Sequence, residues 1–106
     1  MRNHPPSISH DAATVAELRA DPAAAAAYIQ AALEESEQEP RVLLVALRHV
    51  AEAQGMQEVA RRAGVNRESL YRSLSARGNP TVKTLAAVLR AMGLRLSAES
   101  VRTAGT

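Results

Sequence analysis

Between Met56 and Ser75 the chain reads MQEVARRAGVNRESLYRSLS, two short runs of helical periodicity hinged on one glycine. Val59 and Ala63 stand four apart before the hinge, and Leu70 and Leu74 stand four apart after it. Each run therefore offers one apolar face to a shared core. Ala60 is small, as it must be where a second helix crosses close above the first. Gly64 falls where the chain has to turn sharply through positive φ. Val65 plugs the junction, and Asn66 brings a side-chain oxygen to the start of the second helix. This spacing is that of a helix-turn-helix.

The flanking segments carry the same periodicity. Asp11 is placed to cap a short helix over 12–20, with Val15 and Leu18 on one side. Asp21-Pro22 signals a second start, an acceptor followed by proline at the first helical position. The run AAAAAYIQAALEES then presents Ala25, Tyr28, Ile29, Ala32 and Leu33 as a stripe, and the carboxylates of Glu34, Glu35, Glu37 and Glu39 oppose the macrodipole at its end. Pro40 opens a helix that runs to Gln54. Leu43, Ala46, Leu47, Val50 and Ala51 face its core side, and His49 within it reads as a satisfied, partly buried histidine. Further helices are predicted over 56–63, 67–75 and 82–92, the last capped by Thr81 and closed by Gly93. Leu94-Arg95-Leu96-Ser97-Ala98 alternates apolar and polar, the period of a short strand.

Composition agrees with an all-α fold. The chain has 22 Ala and 11 Leu against 9 Val, 2 Ile, 2 Tyr and no Phe or Trp, too few β-branched and aromatic residues for a large sheet. At 106 residues it can bury one core. The predicted organisation is a flexible tail over 1–10, an acidic helical segment over 11–39, a helix-turn-helix domain over 40–98 and a frayed end over 99–106.

Several function classes drop out. Cysteine is absent, which removes disulfide frameworks and thiolate metal sites and fits a reducing cytoplasm. No apolar run approaches the roughly 20 residues of a membrane span. His4 and His10 lack the neighbours a metal site needs. No Ser/His/Asp group, paired carboxylates or glycine-rich phosphate loop has credible spacing, so neither an enzyme nor a cofactor is expected. Charge is more informative. Residues 1–40 hold two Arg against seven acids, a balance of −5, whereas 41–106 hold eleven basic residues against four acids, a balance of +7. Such a division suits two partners, nucleic acid on the basic half and a basic protein on the acidic half.

Setting Leu70 and Leu74 toward the core turns Glu68, Arg72 and Ser75 outward, with Tyr71 at the edge and Arg67 projecting from the first turn. Arg72 suits guanine O6 and N7, and Glu68 suits cytosine N4. Arg67, Glu68, Tyr71, Arg72 and Ser75 are thus the candidate base contacts. Gln57, Arg61, Arg62, Arg77 and Asn79 are the candidate phosphate contacts. One such motif reads only a few base pairs, so a homodimer is expected, with Leu94 and Leu96 as its contact. On the acidic half, Glu34, Glu35, Glu37 and Glu39 can stand in for phosphates against a basic partner. Tyr28 is either an aromatic anchor of that contact or part of the core.

The stretches AAAYIQAALEES, LLVALRHVAEAQGMQEVARRAGVNRESLYRSLS and GNPTVKTLAAVLRAMGLRL, and above all Arg67-Glu68-Ser69-Leu70-Tyr71-Arg72 with Gly78-Asn79-Pro80, resemble the HigA-like addiction module antidotes. The resemblance covers about Ala12 to Leu96. It implies a λ-repressor-like bundle of about five helices behind a short N-terminal helix, with a Cro/repressor-type helix-turn-helix. It also implies an antitoxin that neutralises a HigB-like toxin of the RelE/ParE superfamily and represses its own operon. Asn66 stands where the family more often has Ser, and the compact Ser75–Gly78 loop lacks the acidic residue of many relatives. A stand-alone prophage-type repressor without a toxin is the alternative on the same fold, and a toxin reading frame beside the gene separates the two.

Overall fold

The computed structural model describes residues 8–101, with side chains from Asp11 onward, and these residues form six α-helices. They are α1 (Ile8–Ala20), α2 (Ala25–Glu35), α3 (Arg41–Gln54), α4 (Met56–Ala63), α5 (Arg67–Ser73) and α6 (Val82–Ala91), with a single 3₁₀ turn, Pro22–Ala24, between the first two. Central α3 packs against α1 and α2 on one side and meets α4 across Gly55; α4 in turn carries α5 and α6. Leu47, Val50, Val59, Leu70, Leu74 and Val88 are fully buried. Leu18, Ile29 and Ala32 join the same cluster, so the core runs without a break across Pro40.

Local signals place most of the ends. Gly64 adopts φ +79° beyond α4, and the Val65 N–H reaches back to the Ala60 carbonyl at 3.0 Å. This is a Schellman closure, which a residue with a Cβ would strain. Asn66 and Thr81 cap α5 and α6 as their side chains predict, accepting from Ser69 N–H at 2.7 Å and Thr84 N–H at 3.1 Å. Long side chains satisfy carbonyls that helix ends leave orphaned. Arg19 donates to Glu52 O at 3.0 Å and Ala53 O at 3.3 Å, and Gln54 donates to Met92 O at 3.0 Å.

Five expectations are corrected. α1 begins at Ile8 rather than residue 12, so Ile8–His10 belong to a helix and not to a tail; residues 1–7 and 102–106 lie outside the described residues. Asp11 lies within α1 instead of capping it, because its carboxylate is engaged by His49 and Arg48 on α3. Asp21 does precede Pro22, but its side chain makes no capping bond. Leu33 is 44% exposed, beyond the edge of the α2 stripe. The alternating segment after Gly93 is not a strand. A strand needs a partner for its ladder, and none exists among the described residues. Instead the Leu94 N–H closes α6 by bonding Leu89 O at 2.8 Å. Farther along, Gln30 donates to Glu99 at 3.0 Å, which lays the extended tail near α2.

Candidate nucleic-acid interface and acidic groove

The turn at Gly64 and the Asn66 cap fix where α5 starts. Leu70 at 1% exposure and Leu74 at 0% fix which way it faces. Arg67, Glu68 and Arg72 are consequently exposed, as the periodicity predicts. Tyr71 is half-buried, with the Arg67 guanidinium 5.5 Å from its ring centroid, a cation–π distance that holds the two together. The hydroxyl of Ser75 donates to the Arg72 carbonyl at 3.0 Å and so closes the end of α5, which leaves it only its acceptor lone pairs for a ligand.

Beyond α5 the chain folds tightly back. The Gly78 N–H donates to Ser75 O at 2.8 Å, and a Cβ on Gly78 would collide with the Ser73 carbonyl. Only glycine lets the two backbones approach this closely. The result is an open cleft of about 570 Å³ that brings Arg72, Ser75, Arg77 and Asn79 together with Ser69 and Ser73. Four of the ten residues assigned to DNA from sequence therefore share one concave surface. Ser73 escapes the sequence reading, although its spacing of four from Ser69 puts both hydroxyls on one helix face.

α4 presents a different picture. Gln57 is exposed in its first turn. Arg61 and Arg62 both pair with Glu58, Arg61 through its Nε at 3.1 Å and Arg62 through its Nε at 2.9 Å. The Arg61 hydrogen bond, helped by Arg62, holds the Glu58 carboxyl below the usual range against a smaller opposing desolvation effect; the same bond raises the Arg61 guanidinium. Arg62 also reaches Ala91 O at 3.4 Å. Arg67, Arg72 and Arg77, by contrast, form no ion pair among the described residues.

On the acidic half the structure ties Tyr28 into the core and leaves part of its ring on the surface. Its hydroxyl points inward and lies 2.6 Å from Nδ1 of His49, which is 4% exposed, while the other ring nitrogen lies 3.1 Å from Asp11. A neutral imidazole with its proton on Nε2 satisfies both contacts, accepting from Tyr28 O–H and donating to the Asp11 carboxylate. Burial chiefly, and the Asp11 charge next, push the Tyr28 phenol above its ordinary pKa, opposed by Arg48. The remaining ring surface lines an open groove between α2 and α3, with Ala31, Val42 and Val45 on its walls, Glu35 and Glu39 on its rim, and Ala76 of the loop after α5 also lining it. Arg41, which the sequence does not single out, binds Glu39 through Nε at 2.8 Å. Glu34 and Glu37 are exposed away from this groove lining.

The two residues assigned to a dimer separate. Leu94 is half-buried against its own chain's core, whereas Leu96 is 45% exposed. No helix among the described residues is long and apolar enough to cross a membrane.

A family model described as "Probable addiction module antidote protein" matches residues 10–100. An uncharacterised protein of Haemophilus influenzae is 41% identical over 78 residues, covering 72% of this chain and 80% of that relative. No solved structure matches the chain.

Proposed function

Because the chain belongs to the addiction module antidote family, we propose that it is the antitoxin of a type II toxin–antitoxin module. In this reading it is a regulatory protein and not an enzyme. It binds operator DNA as a homodimer, represses its own operon, and neutralises a HigB-like toxin of the RelE/ParE superfamily in the cytoplasm. The observation that carries the DNA half is the face of α5. Leu70 and the C-cap Leu74 are buried, Arg67, Glu68 and Arg72 face outward, and Arg72 shares a cleft with Arg77 and Asn79.

As a Cro/repressor-type recognition helix, α5 enters the major groove. Arg72 donates to a guanine edge, Glu68 accepts from cytosine, and Arg67, Tyr71 and Ser75 contact neighbouring bases. Arg77 and Asn79 hold the backbone beyond α5. Gln57, Arg61 and Arg62 hold it at α4, the two arginines exchanging Glu58 for phosphate. Leu96 is the more accessible of the two dimer residues. On the opposite half, Tyr28, Glu34, Glu35, Glu37 and Glu39 meet the basic surface that an RNA-cleaving toxin needs.

The test is titration of operator and random DNA at several salt concentrations. Arg72→Ala should cost about 1–3 kcal/mol on the operator and relax preference at one base step. Arg77→Ala should weaken all sequences alike and flatten the salt slope by about one unit. Unchanged binding of both DNAs by Arg72→Ala would refute the assignment of α5. Rescue of cells expressing the toxin from the neighbouring reading frame tests the other half and separates this reading from a repressor without a toxin.

A further inference from the structure

We propose that the groove between α2 and α3 is the seat of the toxin contact, and that it takes one apolar side chain of the toxin with a flanking lysine or arginine held at its rim. The proposal rests on the antitoxin reading above and narrows it from an acidic segment to one slot.

Three observations carry it. First, the groove is an open volume of about 580 Å³ whose walls are apolar, with Tyr28 and Ala31 from α2, Val42 and Val45 from α3, and Ala76 from the loop after α5. Alanine at position 31 leaves room that a larger residue would occupy, so the slot is wide enough to accept a side chain from outside. Second, the charge at its mouth has one sign in excess. Two carboxylates, Glu35 and Glu39, stand there against one cation, Arg41, which is already paired with Glu39. An incoming cation beside the apolar group would find Glu35 unpaired among the described residues and Glu39 sharing one guanidinium. A second copy offering its own acidic groove would meet like charge, which costs association. Third, the aromatic wall is set in advance. Tyr28 cannot swing freely, because its hydroxyl is bonded to buried His49, itself tied to Asp11 on α1. A wall fixed before binding loses little conformational entropy when the partner arrives.

Within the acidic set, this geometry separates Glu35 and Glu39, which border the slot, from Glu34 and Glu37, which do not. An apolar anchor in a desolvated slot is the kind of contact that dominates interface energetics, with peripheral charges contributing less.

The experiment uses the full chain and the purified product of the toxin reading frame beside its gene, measured by calorimetry, with sedimentation of each variant alone. Ala31→Phe fills the slot from an exposed helical position. It should weaken toxin binding about 30-fold or more, the size of a hot-spot loss, while operator binding and helix content stay at wild-type values. Glu35→Lys with Glu39→Lys reverses the rim without touching the core and should weaken binding at least about 10-fold, a loss that shrinks as salt rises. Glu34→Gln with Glu37→Gln should change it less than about 3-fold. If the wild-type chain does not bind that product, the antitoxin reading fails and the groove assignment falls with it. If the wild type binds and both groove variants bind equally well, the groove assignment alone is overturned. A change of oligomeric state in Ala31→Phe would identify the groove as an interface between copies and overturn it likewise.

Discussion

Tyr28→Phe removes one oxygen atom and tests the buried relay that joins the three N-terminal helices. His49 is 4% exposed, and among the described residues Tyr28 is the partner of its Nδ1. The substitution leaves that acceptor without a donor while keeping the ring, its volume and the groove wall. A buried polar group deprived of its partner costs about 1–3 kcal/mol. For a chain of this length the thermal midpoint falls by roughly 4–8 °C per kcal/mol. Urea and thermal melts followed by circular dichroism read the loss directly. Pairing the change with His49→Leu should recover part of it, because removing both polar partners leaves neither unsatisfied, and Asp11, a third exposed, keeps Arg48 and solvent. The alkaline limb supplies an independent check. The folded phenol titrates above its ordinary value, so its contribution is fully present below the unfolded tyrosine pKa of about 10 and is lost as pH rises from there through the folded value. Tyr28→Phe should therefore decline less steeply than wild type above a pH of about 10. Melts that coincide with wild type near neutral pH, together with an unchanged alkaline limb, would show that no such hydrogen bond stabilises the fold.

Glu58→Gln should release Arg61 and Arg62 for phosphate, tightening binding to random DNA and steepening its salt slope; an unchanged slope in an anisotropy titration would remove α4 from the interface. Gly78→Ala should force the 75–79 loop away from the end of α5, lowering stability by about 1–3 kcal/mol in urea melts and weakening DNA binding by more than that loss explains, because Arg77 and Asn79 move with the loop. Leu96→Asp should shift sedimentation toward monomer with little loss of stability, whereas Leu94→Asp should destabilise the fold itself; a Leu96→Asp protein that remains dimeric would place the interface elsewhere.

Neighbouring residues decide a good deal among themselves, and that much is legible in the order of amino acids. Gly64 is left-handed, Asn66 and Thr81 cap, and Pro40 precedes α3, because each of these depends on backbone sterics or on a hydrogen bond spanning three or four residues. The outward set on α5 is legible for the same reason, since helical period alone turns Arg72 away once Leu70 and Leu74 turn in. The Glu58 pairs with Arg61 and Arg62 have that spacing too, and periodicity suffices to find them. Whatever depends on residues far apart in the chain is decided by packing. Asp11 has the chemistry of a cap, but a buried histidine 38 residues away offers a better partner, so the helix runs on past it. Tyr28 reads as either anchor or core because no local rule says where a hydroxyl 21 residues from His49 will point; α2 lying on α3 turns that hydroxyl inward and leaves part of the ring on the groove wall. The alternation after Gly93 has the period of a strand, yet a strand is defined by a neighbour, and the fold supplies none among the described residues. Leu94 and Leu96 are equivalent in sequence and differ only because the turn that closes α6 folds the first onto the core and leaves the second in solvent. The groove between α2 and α3 is likewise made by packing, since its lining draws Tyr28 and Glu35 from α2, Val42 and Val45 from α3 and Ala76 from beyond α5.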